Sequence, residues 1–452
     1  MSGAIIKELS TVDRRLWTIM TDYPQLLIAD NRGNIREVPR LQALGRAGNT
    51  LVPLSRKDLI PLPYGSELFL VPGRVPLAYD PLRAAVVPLT HDPFSKKEAP
   101  CYPVSAFISP GYTVAYVPAY AEREKARILP LFSYGAVAYY RGTFCVAAVR
   151  VDREKRQDLR FMDIKKVKQN VRRFRTAYPR NRLIRHLEHC ALCYGCPAAK
   201  NFFLERYEAP LPTSPSCNAR CAGCISHQET NGCSVAQERI AFIPTPAEIA
   251  EVALHHIRVV RDPVVSFGQG CEGEPLLVSD SIERAVRLIR KKTQKGIINL
   301  NTNASRPQSV VRLCAAGLDS IRVSMNSVQE QYYTAYYRPK GYTFRDVLRS
   351  VREAKKRGRF VSINYFVMPG VTDSAKEYTA LRSFIKKYHV DMIQWRNLNF
   401  DSVRYFSLLN IPSAGTQPLG IRAVIAAIHR EFPRLMKGYF NPSRERIRRF
   451  MK

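Results

Sequence analysis

The sequence is organised around the stretch Cys217-Asn-Ala-Arg-Cys221-Ala-Gly-Cys224. Its three cysteines are separated by three and then two residues, and a short loop that contains glycine lets all three thiols turn toward one point. Thiolates are the usual ligands of iron–sulfur clusters, and four cysteines would saturate a cluster of four irons. Three cysteines leave one iron open, and an open position distinguishes a catalytic metal centre from a structural one. The spacing therefore predicts a catalytic cluster.

A second group of cysteines precedes this loop. Seven of the 11 cysteines lie between positions 190 and 233 of the 452 residues. Disulfide frameworks of that density belong to small secreted domains, so metal binding is the better interpretation in this long chain. Cys190, Cys193 and Cys196 have the spacing of ferredoxin-type ligands, whose fourth ligand often comes from elsewhere. We favour an auxiliary iron–sulfur cluster with Cys233 or His189 as the fourth ligand, and a zinc site is the alternative.

Composition limits the class of protein. With 46% hydrophobic residues, the chain can bury a sizeable core and is long enough for two or three domains. A formal charge of +32 favours a polyanionic partner, and a generally basic, solvated surface is the alternative. We see neither an apolar run that could span a membrane nor a secretory leader, so we expect a cytoplasmic protein.

The amino-terminal part of the chain differs in pattern from the rest. Residues 1–125 carry short apolar runs broken by Pro and Gly, which predicts a strand-rich domain. Residues 126–208 contain a predicted hairpin turning at 140–143, a basic segment and the first cysteine group. Phe161, Phe174 and Tyr178 interleave with the basic residues, as in surfaces that contact phosphates and bases. A helix with one solvated basic face explains the same residues.

From 209 to 410, short apolar strands alternate with amphipathic helices, which predicts βαβ units and a parallel sheet. The predicted strands lie near 210–215 and at 263–267, 297–301, 320–325, 360–367 and 391–396. The predicted helices lie at 244–260, 280–292, 307–316, 344–357 and 375–388. Residues 411–452 are predicted to be a helical, basic C-terminal tail.

CxxxCxxC resembles the cluster loop of the radical S-adenosylmethionine (SAM) superfamily, and later motifs match that family in order. Glu272-Gly-Glu-Pro275 resembles its GGEP loop after the second strand, whose backbone holds the amino group of SAM. The resemblance covers about 209–410. It implies an α/β fold, namely a partial (β/α)6 TIM-like barrel with the strand-rich domain at its N-terminus. It also implies that Cys217, Cys221 and Cys224 bind a [4Fe-4S] cluster.

The resemblance further implies which side chains face SAM. These follow the strands in order and are Glu272, Gly273, Glu274, Asn301, Asn303, Ser324, Asn326 and Arg396. Arg322 is a further candidate for the SAM carboxylate. Family members commonly carry an aromatic residue against the adenine, just before the third cysteine; here that residue is Gly223, and Phe267 is a candidate replacement. Cys271 is the candidate catalytic residue, as a hydrogen-atom donor or a ligand of the auxiliary cluster, and a small buried hydrophobic residue is the alternative.

The implied activity is radical chemistry. The [4Fe-4S] cluster would cleave SAM to a 5′-deoxyadenosyl radical, which would abstract hydrogen from a substrate. The expected cofactors are this cluster, SAM and a second iron–sulfur cluster. The expected partners are an electron donor such as flavodoxin or ferredoxin and an RNA or peptide substrate. The alternatives are a radical SAM enzyme acting on a small metabolite and a non-enzymatic, zinc-binding nucleic-acid-binding protein.

Overall fold

The computed structural model describes residues 22–228, 235–411 and 417–451. Cys233, predicted as a ligand of the auxiliary cluster, lies outside the described residues. Within them, no helix is both long enough and apolar enough to cross a bilayer.

The N-terminal region is built of short antiparallel strands, as predicted. They are β1 Gln25–Ala29, β2 Ile35–Ala47, β3 Thr50–Pro53, β4 Ile60–Pro61, β5 Glu67–Leu70, β6 Arg74–Asp80, β7 Ala85–Pro88, β8 Tyr102–Phe107, β9 Tyr112–Val114, β10 Val117–Pro118, β11 Tyr120–Glu122, β12 Gly135–Tyr140, β13 Thr143–Val146 and β14 Ala148–Arg150. Twelve of them form one sheet, and β9 pairs with β14 in a separate ribbon.

The predicted hairpin is β12–β13, which turns at Arg141 and Gly142. Both residues have positive φ, +48° and +79°, as a two-residue turn matching the strand twist requires. β12 pairs with β1 and β8, and β13 pairs with β4, so the hairpin belongs to the N-terminal sheet.

Three helices connect this sheet to the rest: α1 Ile164–Ala177, α2 Arg182–Leu192 and α3 Pro197–Phe203. α1 carries much of the basic segment. Val167, Val171 and Phe174 recur at spacings of four and three, and they are buried together on one face of α1. Phe174 is therefore a core residue and is not available to stack on a base, which agrees with the interpretation of a helix with a solvated basic face.

The remaining strands form one parallel sheet whose order follows the sequence. They are β15 Glu208–Pro210, β16 Val264–Phe267, β17 Ile297–Thr302, β18 Ser320–Met325, β19 Phe360–Val367, β20 Met392–Asn397 and β21 Met436–Gly438. The helices are α4 Pro246–Val259, α5 Ser279–Lys292, α6 Pro307–Ala316, α7 Glu330–Tyr337, α8 Phe344–Lys356, α9 Ala375–Tyr388, α10 Ser402–Leu408, α11 Ile421–Glu431 and α12 Arg444–Met451. The predicted α/β fold with a partial barrel is confirmed.

Among the barrel elements that were not predicted are α7 and β21. α7 has the sequence Glu-Gln-Tyr-Tyr-Thr-Ala-Tyr-Tyr, whose aromatic residues fall on several faces and give no amphipathic period. β21 has only three residues, which is too short for a strand pattern, yet it adds a seventh parallel strand beside β20. Both elements lie at the predicted site.

The β9–β14 ribbon and the N-terminal sheet both pack against the chain at and beyond the carboxyl end of β20. Thr113 donates its hydroxyl hydrogen to the Trp395 carbonyl at 2.7 Å, and the Val114 amide donates to Asn397 Oδ1 at 2.9 Å. Tyr120 donates to Asp401 Oδ1 at 2.9 Å. These contacts place the N-terminal sheet beside the barrel edge where the cofactor site is expected.

Candidate cluster and cofactor site

The three cysteines of the cluster loop lie in the connection between β15 and α4, and each is half-buried. Burial, the Glu274 charge and the Cys224 thiol raise the pKa of Cys217 to about 11. Burial and the other two cysteines raise the pKa of Cys221 further. Burial disfavours each thiolate, and neighbouring thiolates repel one another. Three buried thiols therefore lose their protons together only beside a strongly cationic centre. The three thiols therefore fit the iron–sulfur cluster that the motif implies.

Arg239 adds a positive charge to this loop. Its Nη2 donates to Cys224 Sγ at 3.5 Å, and its Nε donates to Ser226 Oγ at 3.1 Å. A guanidinium beside sulfur favours the thiolate form. No motif pointed to Arg239, because it lies 15 residues beyond the cysteine that it contacts.

Gly223 leaves room for aromatic residues supplied by other elements. A β-carbon added at Gly223 would lie 2.7 Å from the Tyr336 hydroxyl and 3.2 Å from the Phe400 ring. Tyr336 belongs to α7, and its carbonyl accepts the Ala222 amide at 2.9 Å. Tyr336 and Phe400 thus occupy the place of the aromatic residue that the family commonly carries before the third cysteine. Phe267, the predicted replacement, is fully buried in the core.

Glu272 joins the ends of two strands. Its Oε2 accepts the amides of Thr213 and Ser214 at 2.7 and 3.0 Å. Its Oε1 accepts the amides of Gly268 and Gln269, both at 2.7 Å. A carboxylate with four backbone donors is a structural clamp. Glu272 therefore holds the chain before the cluster loop against the chain after β16.

Gly273 and Glu274 bring the second loop directly under the cluster loop. The Gly273 amide donates to the Ser214 carbonyl at 2.7 Å, and the Glu274 amide donates to the Ser216 carbonyl at 2.8 Å. A β-carbon at Gly273 would lie 1.9 Å from the Ser216 carbonyl oxygen, so only glycine fits. Burial raises the pKa of Glu274 to about 7, although the Asn303 amide donates to its carboxyl group at 2.8 Å.

The predicted residues after β17 and β18 lie at the same barrel edge. Asn303 donates to Asn218 Oδ1 of the cluster loop at 2.8 Å. Asn301 donates to the Gly268 carbonyl at 3.0 Å. Asn326 is directed to α7 and α10, where it donates to the Tyr332 carbonyl and the Tyr405 hydroxyl. Ser324 is half-buried on β18.

The barrel interior is polar and holds two arginines. Arg322 of β18 donates to Gln394 of β20 at 3.3 Å, across the intervening β19, so both side chains point inward. Burial and the neighbouring charge of Arg396 lower the pKa of Arg322 to about 9. Arg396 stacks on the Tyr439 ring at 3.9 Å. Among the described residues, neither arginine forms an ion pair. The pair can bind an anionic group.

The other predicted metal ligands are dispersed. Cys190 is buried on α2, while Cys193 at the end of α2 is exposed. Cys196 precedes α3, and its amide donates to the Cys190 carbonyl at 2.9 Å. The structure brings Cys190 together with Cys271 and with His186, a residue that the sequence analysis did not select. His189 instead packs its ring edge-on against Tyr194.

Comparisons with known proteins agree with this geometry. Residues 211–381 match the family model described as the Radical SAM superfamily. The chain is 30% identical over 210 residues to the probable dual-specificity RNA methyltransferase RlmN 1 of Opitutus terrae, covering 41% of this chain and 58% of that protein. It is 26% identical over 183 residues to the FeMo cofactor biosynthesis protein NifB of Klebsiella pneumoniae, covering 36% of this chain and 38% of that protein. The chain thus spans between about two-fifths and three-fifths of the length of these relatives.

Among solved structures, the chain is similar to the FeFe-hydrogenase maturase HydG from Carboxydothermus hydrogenoformans. The TM-score is 0.34 at 13% identity, and the match covers 64% of this chain and 81% of that one. A similarity at this level carries no argument about activity. The family match, in contrast, begins just before the cluster loop and extends through α8 and β19 into α9. Residues 211–381 of the chain therefore form a radical SAM domain.

Proposed function

We propose that this protein is an enzyme in which Cys217, Cys221 and Cys224 bind one [4Fe-4S] cluster and SAM binds at its open iron. The observation that carries the proposal is the direct contact between the cluster loop and the second loop, through the Gly273 and Glu274 amides. When bound, the reduced cluster would give one electron to SAM, whose cleavage yields methionine and a 5′-deoxyadenosyl radical that takes a hydrogen atom from the substrate.

The protein's contribution to this chemistry is positioning. Glu272 fixes the two loops relative to each other through its four backbone partners. Arg239 places a positive charge beside Cys224. Tyr336 and Phe400 fill the space beside Gly223 and form an apolar wall where an adenine ring would lie. These groups would hold SAM and exclude water from the reacting atoms.

Arg322 and Arg396 support an anionic group inside the barrel. Buried polar atoms without partners nearby include Arg322 Nε and Asn364 Oδ1, and Asn364 pairs in register with Ser324. Unpartnered buried polar groups are costly unless a ligand or water satisfies them. The carboxylate of SAM, or a carboxylate or phosphate of the substrate, would accept a hydrogen bond from Arg322 Nε, and an amino group or a water molecule would donate to Asn364 Oδ1. Arg322→Met would raise the KM for SAM in the first case. In the second case it would slow only substrate turnover, while SAM cleavage without substrate would continue.

We propose that the substrate is a macromolecule, with RNA favoured over a peptide. The net charge of +32 supports this, as does the similarity to a probable RNA methyltransferase. A small anionic metabolite would also suit the arginine pair and is the alternative. Retention on RNA that weakens steeply with salt would favour RNA, and lack of retention on RNA even at low salt would favour the metabolite.

An acidic electron donor such as flavodoxin or ferredoxin has a fitting surface beside Cys221. A cavity of about 460 Å³ opens there, and its basic lining residues are Arg220, His227, Arg338 and Arg404. Glu122 is its one acidic lining residue among those described. We propose that the donor docks over this cavity, because charge complementarity speeds and orients such encounters.

The test of the enzyme proposal is product formation after anaerobic reconstitution with iron and sulfide. Incubation with SAM and dithionite should give 5′-deoxyadenosine, and Cys221→Ala should abolish it. Cys314→Ala is the matched control, because Cys314 is buried on α6 away from the cluster loop. Absence of 5′-deoxyadenosine from a protein that holds its full complement of iron would refute the proposal.

A further inference from the structure

A compact group of metal-binding side chains lies outside the cluster loop. His186 Nε2 and Cys190 Sγ are 3.5 Å apart, four residues apart on one face of α2. Cys271, from the loop after β16, completes a group whose ligand atoms all lie within 4.8 Å of one another. Within the described part of the chain, no other three His, Cys, Asp or Glu residues meet this limit.

The group is buried and chemically paired. Cys190 and Cys271 are 1% and 5% exposed. The Cys271 thiol and His186 both contact Cys190 through hydrogen bonds. A metal ion bound by these groups would hold the sulfurs as thiolates.

Cys196 lies beside this group, although its sulfur does not meet the 4.8 Å limit that the other three residues meet. Its backbone amide is bonded to the Cys190 carbonyl, and its thiol interacts electrostatically with both Cys190 and Cys271. Cys193 is exposed, among residues that include Arg175 and Glu188. The four side chains of His186, Cys190, Cys196 and Cys271 offer three sulfurs and one imidazole.

We propose that His186, Cys190 and Cys271 form a structural zinc site and that the neighbouring Cys196 turns toward the ion as the fourth ligand. Zinc binds sulfur at about 2.3 Å in a tetrahedron, so its ligand atoms stand roughly 4 Å apart. A group confined to 4.8 Å matches one ion. The thiolates of a four-iron cluster bind different irons and therefore stand farther apart. Cys217, Cys221 and Cys224 agree with this, because their sulfurs do not meet the 4.8 Å limit. The zinc site uses four protein ligands and leaves no open position.

The site would hold the cofactor loops in place. Cys271 directly precedes Glu272, and its carbonyl accepts the Ile240 amide at 2.8 Å. Ile240 directly follows Arg239, which contacts Cys224. Zinc would therefore tie α2 and the start of α3 to the loop under SAM and to the guanidinium beside the cluster. Its role is positioning, without contact to SAM or substrate.

The test measures metal in a variant that cannot form the SAM cluster, Cys217→Ala/Cys221→Ala/Cys224→Ala. We expect about one zinc per chain by mass spectrometry of the metal. Adding Cys190→Ala or Cys271→Ala should remove it, and adding Cys193→Ala or Cys314→Ala should not. After cobalt exchange, visible bands of tetrahedral cobalt and sulfur-to-cobalt charge transfer should appear. The charge transfer should weaken by about a third with Cys196→Ala, because one thiolate of three is lost.

Three results would overturn the proposal. Iron with sulfide in the triple variant would mean a second cluster, and a Cys190–Cys271 disulfide without metal would mean a redox pair. Free thiols with no metal would mean a buried apolar contact. If Cys190→Ala does not fold, zinc release from the unmutated protein by a thiol-modifying reagent decides the matter. Because the test variant lacks the cluster cysteines, its outcome is independent of the SAM chemistry.

Discussion

Gly273 is the residue at which the two loops of the site approach most closely. We predict that Gly273→Ala prevents SAM binding, because the new methyl group would collide with the Ser216 carbonyl at 1.9 Å. The loop must shift, so its backbone groups no longer bind SAM, and 5′-deoxyadenosine formation should be abolished. The control is Gly142→Ala, because Gly142 has open space around it and differs from Gly273 in having a positive φ. That variant should cost about 1 kcal/mol of stability and no activity.

Tyr336 and Gly223 form a complementary pair across two elements. Gly223→Phe alone should abolish SAM binding, because its β-carbon would meet the Tyr336 hydroxyl at 2.7 Å. Adding Tyr336→Gly vacates that space and restores the arrangement common in the family, so the double variant should recover part of the binding. Equilibrium dialysis of SAM measures this. A double variant no better than Gly223→Phe would contradict the assigned exchange of aromatic positions.

Glu274 should make the stability of the iron-free protein depend on pH. Its pKa is raised from 4.5 to about 7 by burial, so the folded state holds a proton that the unfolded state has lost between these values. Its contribution is fully present below about pH 4.5 and is lost as pH rises through about 7. Denaturant titrations from pH 5 to 8 should show stability falling with pH, and Glu274→Gln should flatten that fall. If Glu274→Gln left the slope of stability against pH unchanged, this would contradict a buried, protonated Glu274 carboxyl group.

At the scale of single residues, sequence motifs identify which residue types belong to the site, but they do not show which partners those residues contact. The spacing of Cys217, Cys221 and Cys224 could be recognised because the three cysteines lie close together in the sequence. The sequence could not show that the two carboxylate oxygens of Glu272 accept hydrogen bonds from four backbone amides. Nor could it select Arg239 or His186, whose partners are fixed only when separate loops meet.

At the scale of elements, the short strand β21 is followed directly by a residue that links distant strands of the barrel. Asn441, just after it, donates to Glu208 Oε1 at 2.7 Å and accepts from Gln394 at 3.0 Å, so it bridges the first and sixth strands across the barrel. Asn441→Ala should destabilise the protein by about 1–3 kcal/mol, because it leaves buried polar partners unsatisfied. Urea unfolding measures this. Gln294→Ala, which removes an exposed side chain that donates to the Arg290 carbonyl, should change stability by less than about 0.5 kcal/mol.

The long periodic elements were the predictable ones. α6, α9, β18 and β19 have the predicted bounds, because a buried strand or amphipathic helix repeats its signal over many residues. The capping box of Thr245 and Glu248 starts α4 at Pro246, two residues after the predicted start. α7 and β21 lack such repetition, so tertiary packing alone defines them.

At the scale of the whole molecule, the N-terminal sheet and the barrel together create the cavity over Cys221, since Glu122 and Arg404 both line it. We predict that Arg404→Glu raises the KM for flavodoxin about tenfold, corresponding to roughly 1.4 kcal/mol, and leaves turnover with dithionite unchanged. Dithionite needs no docking surface. Lys292→Glu, an exposed charge reversal on α5, is the control and should affect neither rate. Equal loss with both reductants would contradict docking at this cavity.

The central claim is that three cysteines hold one cluster with an open iron that SAM occupies. The direct measurement is the electron paramagnetic resonance spectrum of the reduced, reconstituted protein with and without SAM. We expect the signal of a reduced [4Fe-4S] cluster, a clear change of its g-values when SAM is added, and loss of the signal in Cys221→Ala. A cluster spectrum that SAM leaves unchanged, at SAM concentrations far above its working range, would contradict the account.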